Sequence, residues 1–231
     1  MRATFFVVGE LADAGPDIVA ALGERHEVAS HGLTHRPLDR LCSAEVAREV
    51  RDSRLRLEQC GATEVVGFRA PFFRRCRGLT RQLEEAGYRY DASMGSVMPG
   101  PANGRLASLP RLLKRGRLYE LPTCAMRGGM LPLSLTWLRL CAPWAARLLP
   151  SSASLLYLHL HEFLPAETAS CLPFALRRLL TRHCGEAAWG ILDQALGALH
   201  AEFTTCREVL SGSLAPGRSV ALKGVADACR E

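Results

Sequence analysis

The chain has 231 residues, 48% of them hydrophobic and 23% charged, with a formal net charge of +6. That is ordinary globular material for one large domain, and its arginines are scattered among leucine and alanine rather than gathered in a block, which excludes a nucleic-acid-binding stripe. The nine cysteines are odd in number and contain no C-x-x-C pair, which excludes a zinc ribbon or dithiol redox site and leads us to expect reduced thiols in a cytoplasmic chain.

Taken in order, the sequence alternates strands and helices. The first residues read as structure rather than a leader: Phe5 to Val8 is too short for the apolar core of a signal peptide. Ala3 to Val8 is a continuous apolar, aromatic and β-branched run, the pattern of a strand buried on both faces, and Gly9 ends it. Pro16 suits a first helical turn, Ile18, Val19 and Leu22 supply an apolar face, and Gly23 stops it. Glu27 to Ser30 reads as a short strand. The spacing of Val46, Val50, Leu57 and Cys60 predicts a helix from Ser43 to Cys60, with Ser43 as N-cap and Gly61 just past its end. A strand at Glu64 to Phe68, a helix at Thr80 to Ala86 stopped by Gly87, and a strand at Tyr88 to Asp91 repeat the pattern.

Gly95 to Pro110 is rich in glycine and proline and reads as an excursion over the surface. Leu118 to Leu121 and Ser154 to Phe163 are predicted strands, Phe174 to His183 and Glu186 to Ala201 predicted helices, and Phe203 to Thr205 a last short strand. This gives one domain over residues 1–210 and a flexible tail over 211–231. The apolar stretch Met130 to Pro150 is interrupted by Pro132, Arg139, Pro143 and Arg147, short of the run of about 20 apolar residues that spans a bilayer. It is expected to be amphipathic or buried, with weak peripheral membrane contact as the lesser alternative.

Such alternation predicts an α/β fold with a parallel sheet, open or closed into a barrel. His31, His35, Arg69, Pro71, Asp91, His159 and His161 all fall at or just beyond the C-terminal ends of predicted strands, the rim on which α/β folds build active sites. His31 and His35, four positions apart, are able to close on one cation; two solvated side chains in a polar loop is the plain alternative. Arg69 is otherwise a surface arginine with its stem on apolar surface, and Asp91 otherwise a turn-former. His159 and His161 share one face of their predicted strand. His26, His183 and His200 fit no pattern.

Five segments together carry a resemblance. Ala3-Thr-Phe-Phe-Val-Val-Gly9, Ser30-His-Gly-Leu-Thr-His35, Gly67-Phe-Arg-Ala-Pro-Phe72, Gly87-Tyr-Arg-Tyr-Asp-Ala-Ser93 and Leu158-His-Leu-His-Glu-Phe163 resemble, in order and approximate spacing, the motifs of the polysaccharide deacetylase, or NodB-homology, family. The likeness runs from residue 3 to about 210. It is strongest to the bacterial subgroup whose final motif is Tyr-x-His-Pro-Trp-Glu, here Tyr157-Leu-His-Leu-His-Glu162, preceded by Leu131-Pro132 and Leu138-Arg139-Leu140.

The resemblance implies a distorted (β/α) barrel that hydrolyses N-acetyl or similar acyl groups on a carbohydrate, with a divalent metal, usually zinc, as cofactor. It maps the metal-binding histidines onto His31 and His35, and an oxyanion-binding backbone N–H onto Phe72, after Pro71. It gives the proton-donating histidine as His159, with His161 as the alternative, and it makes Asp91 a group that orients that imidazole. Arg69 matches the arginine that holds the family's catalytic carboxylate. A metal of this kind polarises the amide carbonyl and lowers the pKa of bound water to about 7.

One departure is large. The family's first motif, Thr-Phe-Asp-Asp, precedes the strand at Ala3 by a strand and a helix and supplies both the base and the third metal ligand. This chain starts at the second strand, so the expected barrel lacks its first strand and helix. Glu10 is the nearest substitute carboxylate. Two histidines alone bind zinc weakly, so little activity is expected of these 231 residues. Three accounts stay open: a longer gene product that is an active deacetylase, a glycan-binding pseudoenzyme, and a scaffold of polysaccharide assembly.

Overall fold

The computed structural model describes residues 1–95, 113–126, 131–142, 144–150, 155–171, 173–199 and 203–214. Its elements are β1 (Thr4–Val7), α1 (Gly9–Ala14), α2 (Pro16–Arg25), β2 (Glu27–Ser30), α3 (Ser43–Gln59), β3 (Gly67–Phe68), α4 (Leu79–Glu85) and β4 (Tyr90–Asp91). They continue with β5 (Leu113–Arg115), β6 (Leu118–Glu120), α5 (Leu135–Leu140), α6 (Phe174–Leu180), α7 (Glu186–Leu199) and α8 (Cys206–Leu214). The six strands, α1–α4 and α8 belong to one compact unit, and α5–α7 to a second.

The first unit is α/β, as the alternation predicts. Its sheet has the order β1-β2-β3-β4-β6-β5, parallel throughout except for β5, which runs antiparallel to β6. The order climbs in sequence step by step, as in a barrel, and no pairing among the described residues joins β1 to β5. Side chains on a strand alternate between faces, and two clusters record this. Val7, Val28, Phe68 and Leu118 pack with Val46, Val50 and Leu57 of α3 and Leu79 and Leu83 of α4. Phe6, Val66, Tyr90, Ala92 and Leu121 turn the other way and meet Val209 and Leu210 of α8. Both faces are therefore covered, which is what a parallel sheet of near-continuous apolar strands requires.

Tyr90 pins the register. Its cross-strand partner is Gly67, and a Cβ there would run into the Tyr90 ring, so only glycine lets the ring lie across β3. The Tyr90 hydroxyl donates to Glu27 Oε1 at 2.9 Å, while Glu27 Oε2 accepts from Thr4 Oγ1 at 2.7 Å and from the Arg207 N–H at 2.9 Å. One buried carboxylate thus ties β1, β2, β4 and α8 together.

Several expectations change. The strand ends at Val7, Val8 caps the next element, and Gly9 opens α1 rather than merely ending β1. The α3 N-cap is Cys42 rather than Ser43, because Glu45 reaches back to the Cys42 N–H at 2.9 Å; Gly61, with φ 97°, ends the helix as expected. No strand forms over 203–205: Thr205 and Glu208 cap each other at the start of α8, which runs on through 211–214. The Gly95 to Pro110 excursion, apart from Gly95, lies outside the described residues, as do residues 215–231.

In the second unit Leu133, Leu135 and Leu138 are fully buried, so part of the described Met130 to Pro150 stretch is core. Trp144 stays 57% exposed, with the Arg147 guanidinium 4.6 Å from its ring centre. The strand predicted over Ser154 to Phe163 is not formed among its described residues, 155–163. Tyr157 makes one parallel bridge to Ser134, and Leu160–Phe163 is a 3-10 turn. The cause is Glu162, whose side chain takes the His159 N–H at 2.8 Å and closes a turn where a strand would continue. Among the described residues no helix is long and apolar enough to cross a membrane, and the eight described cysteines are all free thiols.

Candidate active site

The C-terminal ends of β2, β3 and β4 bring several of the predicted residues into one neighbourhood. His31 follows β2 and extends its ladder, its N–H donating to Val7 O at 2.8 Å. The His31 ring places Nδ1 2.7 Å from the carbonyl oxygen of Arg69, the residue that follows β3. A carbonyl only accepts, so the proton sits on Nδ1 and Nε2 is the nitrogen suited to ligation. The His35 ring lies 5.0 Å from that of His31, centre to centre, and packs 4.7 Å from Phe72. His35 and Phe72 both adopt left-handed backbone, at φ 60° and 57°. Non-glycine residues there carry strain that the surroundings must hold, a condition concentrated at functional sites.

What holds this loop is a residue the sequence reading passed over. Glu49, buried on α3, accepts the N–H groups of Leu33 and Thr34 at 2.8 and 3.0 Å through Oε2, and the Thr34 hydroxyl through Oε1. Gly32 makes room for it: at φ 79°, a Cβ would lie 3.2 Å from Glu49 Oε2 and 3.4 Å from Pro71. The signal was present, because Glu49 is a charged residue set among Val46, Val50 and Leu57 on the apolar stripe of its helix. Ser53, one turn on, bonds Ser30 Oγ at 2.8 Å and fixes the end of β2.

Arg69 is not a surface arginine. It is 8% exposed, its Nε donates to Ala92 O at 3.0 Å, and its guanidinium carbon lies 4.1 Å from the Phe6 ring centre. Pro71 is buried at the start of a 3-10 turn, Pro71–Phe73, which presents Phe72 with 58% of its surface exposed. Its backbone N–H is the expected oxyanion donor.

Asp91 ends β4 with no exposed surface. Its Oδ1 accepts from the Ser93 N–H at 2.9 Å and from the Ser93 hydroxyl, the arrangement of the turn-forming alternative to an imidazole-orienting role. Its Oδ2 lies 3.4 Å from Arg75 Nη2, and Arg75 also pairs with Glu120, the residue opposite Asp91 on β6. Burial pushes the Asp91 carboxyl above its ordinary value of 3.8, against the opposing pull of Ser93 and Arg75. Arg75 and Glu120 escaped the sequence reading because nothing local marks them as partners.

His159 and His161 belong to the second unit. Their rings stack at 5.1 Å, and the Tyr157 ring meets His159 edge-on at 5.8 Å. The expected common face therefore survives, built by a 3-10 turn rather than by strand alternation.

The donor set does not amount to a complete metal centre. Among the described residues no three His, Cys, Asp or Glu side chains converge, so Glu10 does not join His31 and His35. A catalytic zinc takes three protein ligands and water. The pair fits the histidine part of such a site and not the whole.

Comparison with known proteins finds a family likeness in the first part of the chain. The polysaccharide deacetylase family model matches residues 1–90. Among solved structures, a Mycobacterium smegmatis protein assigned as a polysaccharide deacetylase is 27% identical at a TM-score of 0.44, covering 52% of this chain and 40% of its own. The peptidoglycan deacetylase PdaC from Bacillus subtilis is 26% identical at a TM-score of 0.34, covering 36% and 42%. Puue allantoinase is 19% identical at a TM-score of 0.43, covering 54% and 39%. The chain thus spans well under half the length of each of these proteins.

Proposed function

We propose, from the match of residues 1–90 to the polysaccharide deacetylase family model, that this protein is a hydrolase of that kind, acting on N-acetyl or similar acyl groups of a carbohydrate. The observation that carries the reading is the His31 ring fixed by its Nδ1 on Arg69 O at 2.7 Å, with the His35 ring 5.0 Å away. Two imidazoles so held, beside a buried arginine, make the histidine half of a divalent metal site, zinc being the natural occupant. When bound, such a cation polarises an amide carbonyl and acidifies water.

The chain's own groups take the remaining roles. Phe72 N–H is set to donate to the developing oxyanion. His159 protonates the leaving amine, with His161 stacked beside it as the alternative. Arg69 supplies fixed positive charge at the strand ends. Asp91, with Arg75 and Glu120, shapes the rim at the end of β4.

A second reading is favoured by the two-ligand donor set: a glycan-binding domain that does not hydrolyse. One assay separates them. With zinc supplied, N-acetylated oligosaccharides are offered to the purified chain, and acetate release and saturable binding are measured in parallel. With only the histidine part of the metal site at hand, the hydrolase reading expects slow acetate release under excess zinc, reduced further in His159→Ala and lost in His31→Ala. Binding without acetate release, retained in both variants, would establish the second reading instead.

A further inference from the structure

The second unit holds an arginine, Arg139, and a glutamate, Glu162, at 1% and 0% side-chain exposure, with 3.3 Å between Nη2 and Oε1. Burying such a pair costs desolvation of both ions, and it is tolerated only where further hydrogen bonds complete it. Here they do. Arg139 Nη1 donates to the Arg182 carbonyl at 2.7 Å and also reaches Leu180 O, and the Thr136 hydroxyl donates to Glu162 Oε1 at 2.6 Å.

The other oxygen of Glu162 is turned to a different task. Oε2 accepts the His159 backbone N–H at 2.8 Å and lies 3.8 Å from His159 Nδ1. Oε1 is thus anchored in the core of the unit while Oε2 faces the half-exposed imidazole. Among the described residues, the groups facing that ring include Glu162, the stacked His161 ring and the edge of Tyr157, with Arg139 behind Glu162.

We propose that Glu162 is the positioning residue for His159: anchored by Arg139 and Thr136, its carboxylate fixes the His159 backbone and sets a negative charge beside the ring. This rests on the reading of His159 as proton donor. A donor must be protonated before it acts, and a carboxylate within about 4–6 Å favours the imidazolium. The 3-10 turn that replaces the expected strand is the same contact seen from the backbone. It also assigns the roles within the motif: His159 is the histidine coupled to the carboxylate, and His161 its stacking neighbour.

The test is a ring titration followed by NMR on the full 231-residue chain with labelled histidine, with His159→Ala and His161→Ala to assign the signals. In Glu162→Gln, shown to be folded by circular dichroism, the His159 midpoint is expected to fall by about half a unit to one unit, and that of His161 by less. Thr136→Val removes an anchor but keeps the charge, and should leave the His159 midpoint in place. An unchanged His159 midpoint in folded Glu162→Gln, or an equal fall in Thr136→Val, would overturn the proposal. If Glu162→Gln does not fold because Arg139 loses its counter-charge, Glu162→Asp draws the carboxylate back by one methylene. The midpoint must then fall in the same direction, and constancy overturns the proposal equally. Acetate release that persists in His159→Ala would instead overturn the proton-donor reading and leave the measured coupling standing.

Discussion

Asp91 illustrates what the rim costs at the scale of one residue. Its carboxyl is sealed at the end of β4, and burial raises its pKa above 3.8. The folded chain then holds this proton where the unfolded chain has released it. Stability contributed by this site is greatest below pH 3.8 and declines as pH rises through the raised folded value. Asp91→Asn keeps an acceptor for the Ser93 N–H and removes the buried charge. It is expected to raise the melting temperature by a few degrees at pH 7 and to change it little at pH 3, compared by thermal unfolding at both. A lower melting temperature at pH 7 would show that the Arg75 ion pair outweighs the burial penalty. Arg69 and Pro71 were legible because they sit in a short motif at a strand end. Glu49, Arg75 and Glu120 were not, because their partners lie 15, 16 and 45 positions away or arrive from a neighbouring strand.

At the scale of elements, α8 matters most to the sheet. Thr205-Cys-Arg-Glu208 is a capping box, with Thr205 Oγ1 accepting the Glu208 N–H at 3.2 Å and Glu208 Oε2 accepting the Thr205 N–H at 3.0 Å. That signature was readable, and its apolar lead-in, Phe203, drew the segment toward a strand assignment instead. Leu210 carries the helix onto the face of the sheet formed by Val66, Tyr90 and Ala92. Leu210→Ala should therefore cost about 2–5 kcal/mol, as for a buried leucine, measured by urea unfolding. A loss well under 1 kcal/mol would mean that the helix contributes little to the packing of that face. The segment Tyr157–Phe163 makes the complementary point: its period-two apolar pattern is genuine, and one glutamate side chain overrides it.

For the whole molecule the decisive quantity is the ligand count. His31 and His35 are the proposed metal-binding pair, and among the described residues no third donor joins them. After zinc loading and dialysis, the 231-residue chain is expected to retain well under one equivalent, measured by atomic emission, and His31→Ala to retain less still. A full equivalent that survives dialysis would place the third ligand among residues outside the described set. Charge and composition bear on this scale too: among the described residues, arginines pair with carboxylates brought near by the fold, as Arg54 does with Glu58 and Arg74 with Asp39.

By itself the sequence determined the α/β class, the order of the first strands and helices, and the histidine pair, because hydrophobic period and strand-end motifs are local and each is written within ten residues. The tertiary structure decided the rest: that Glu49 clamps the histidine loop, that Asp91 is enclosed with Arg75 and Glu120, that α8 covers the second face of the sheet, and that Glu162 turns His159 out of a strand. Each of these depends on a side chain meeting a partner or a space that only the folded chain creates, and a buried carboxylate must find such a partner wherever in the sequence it lies.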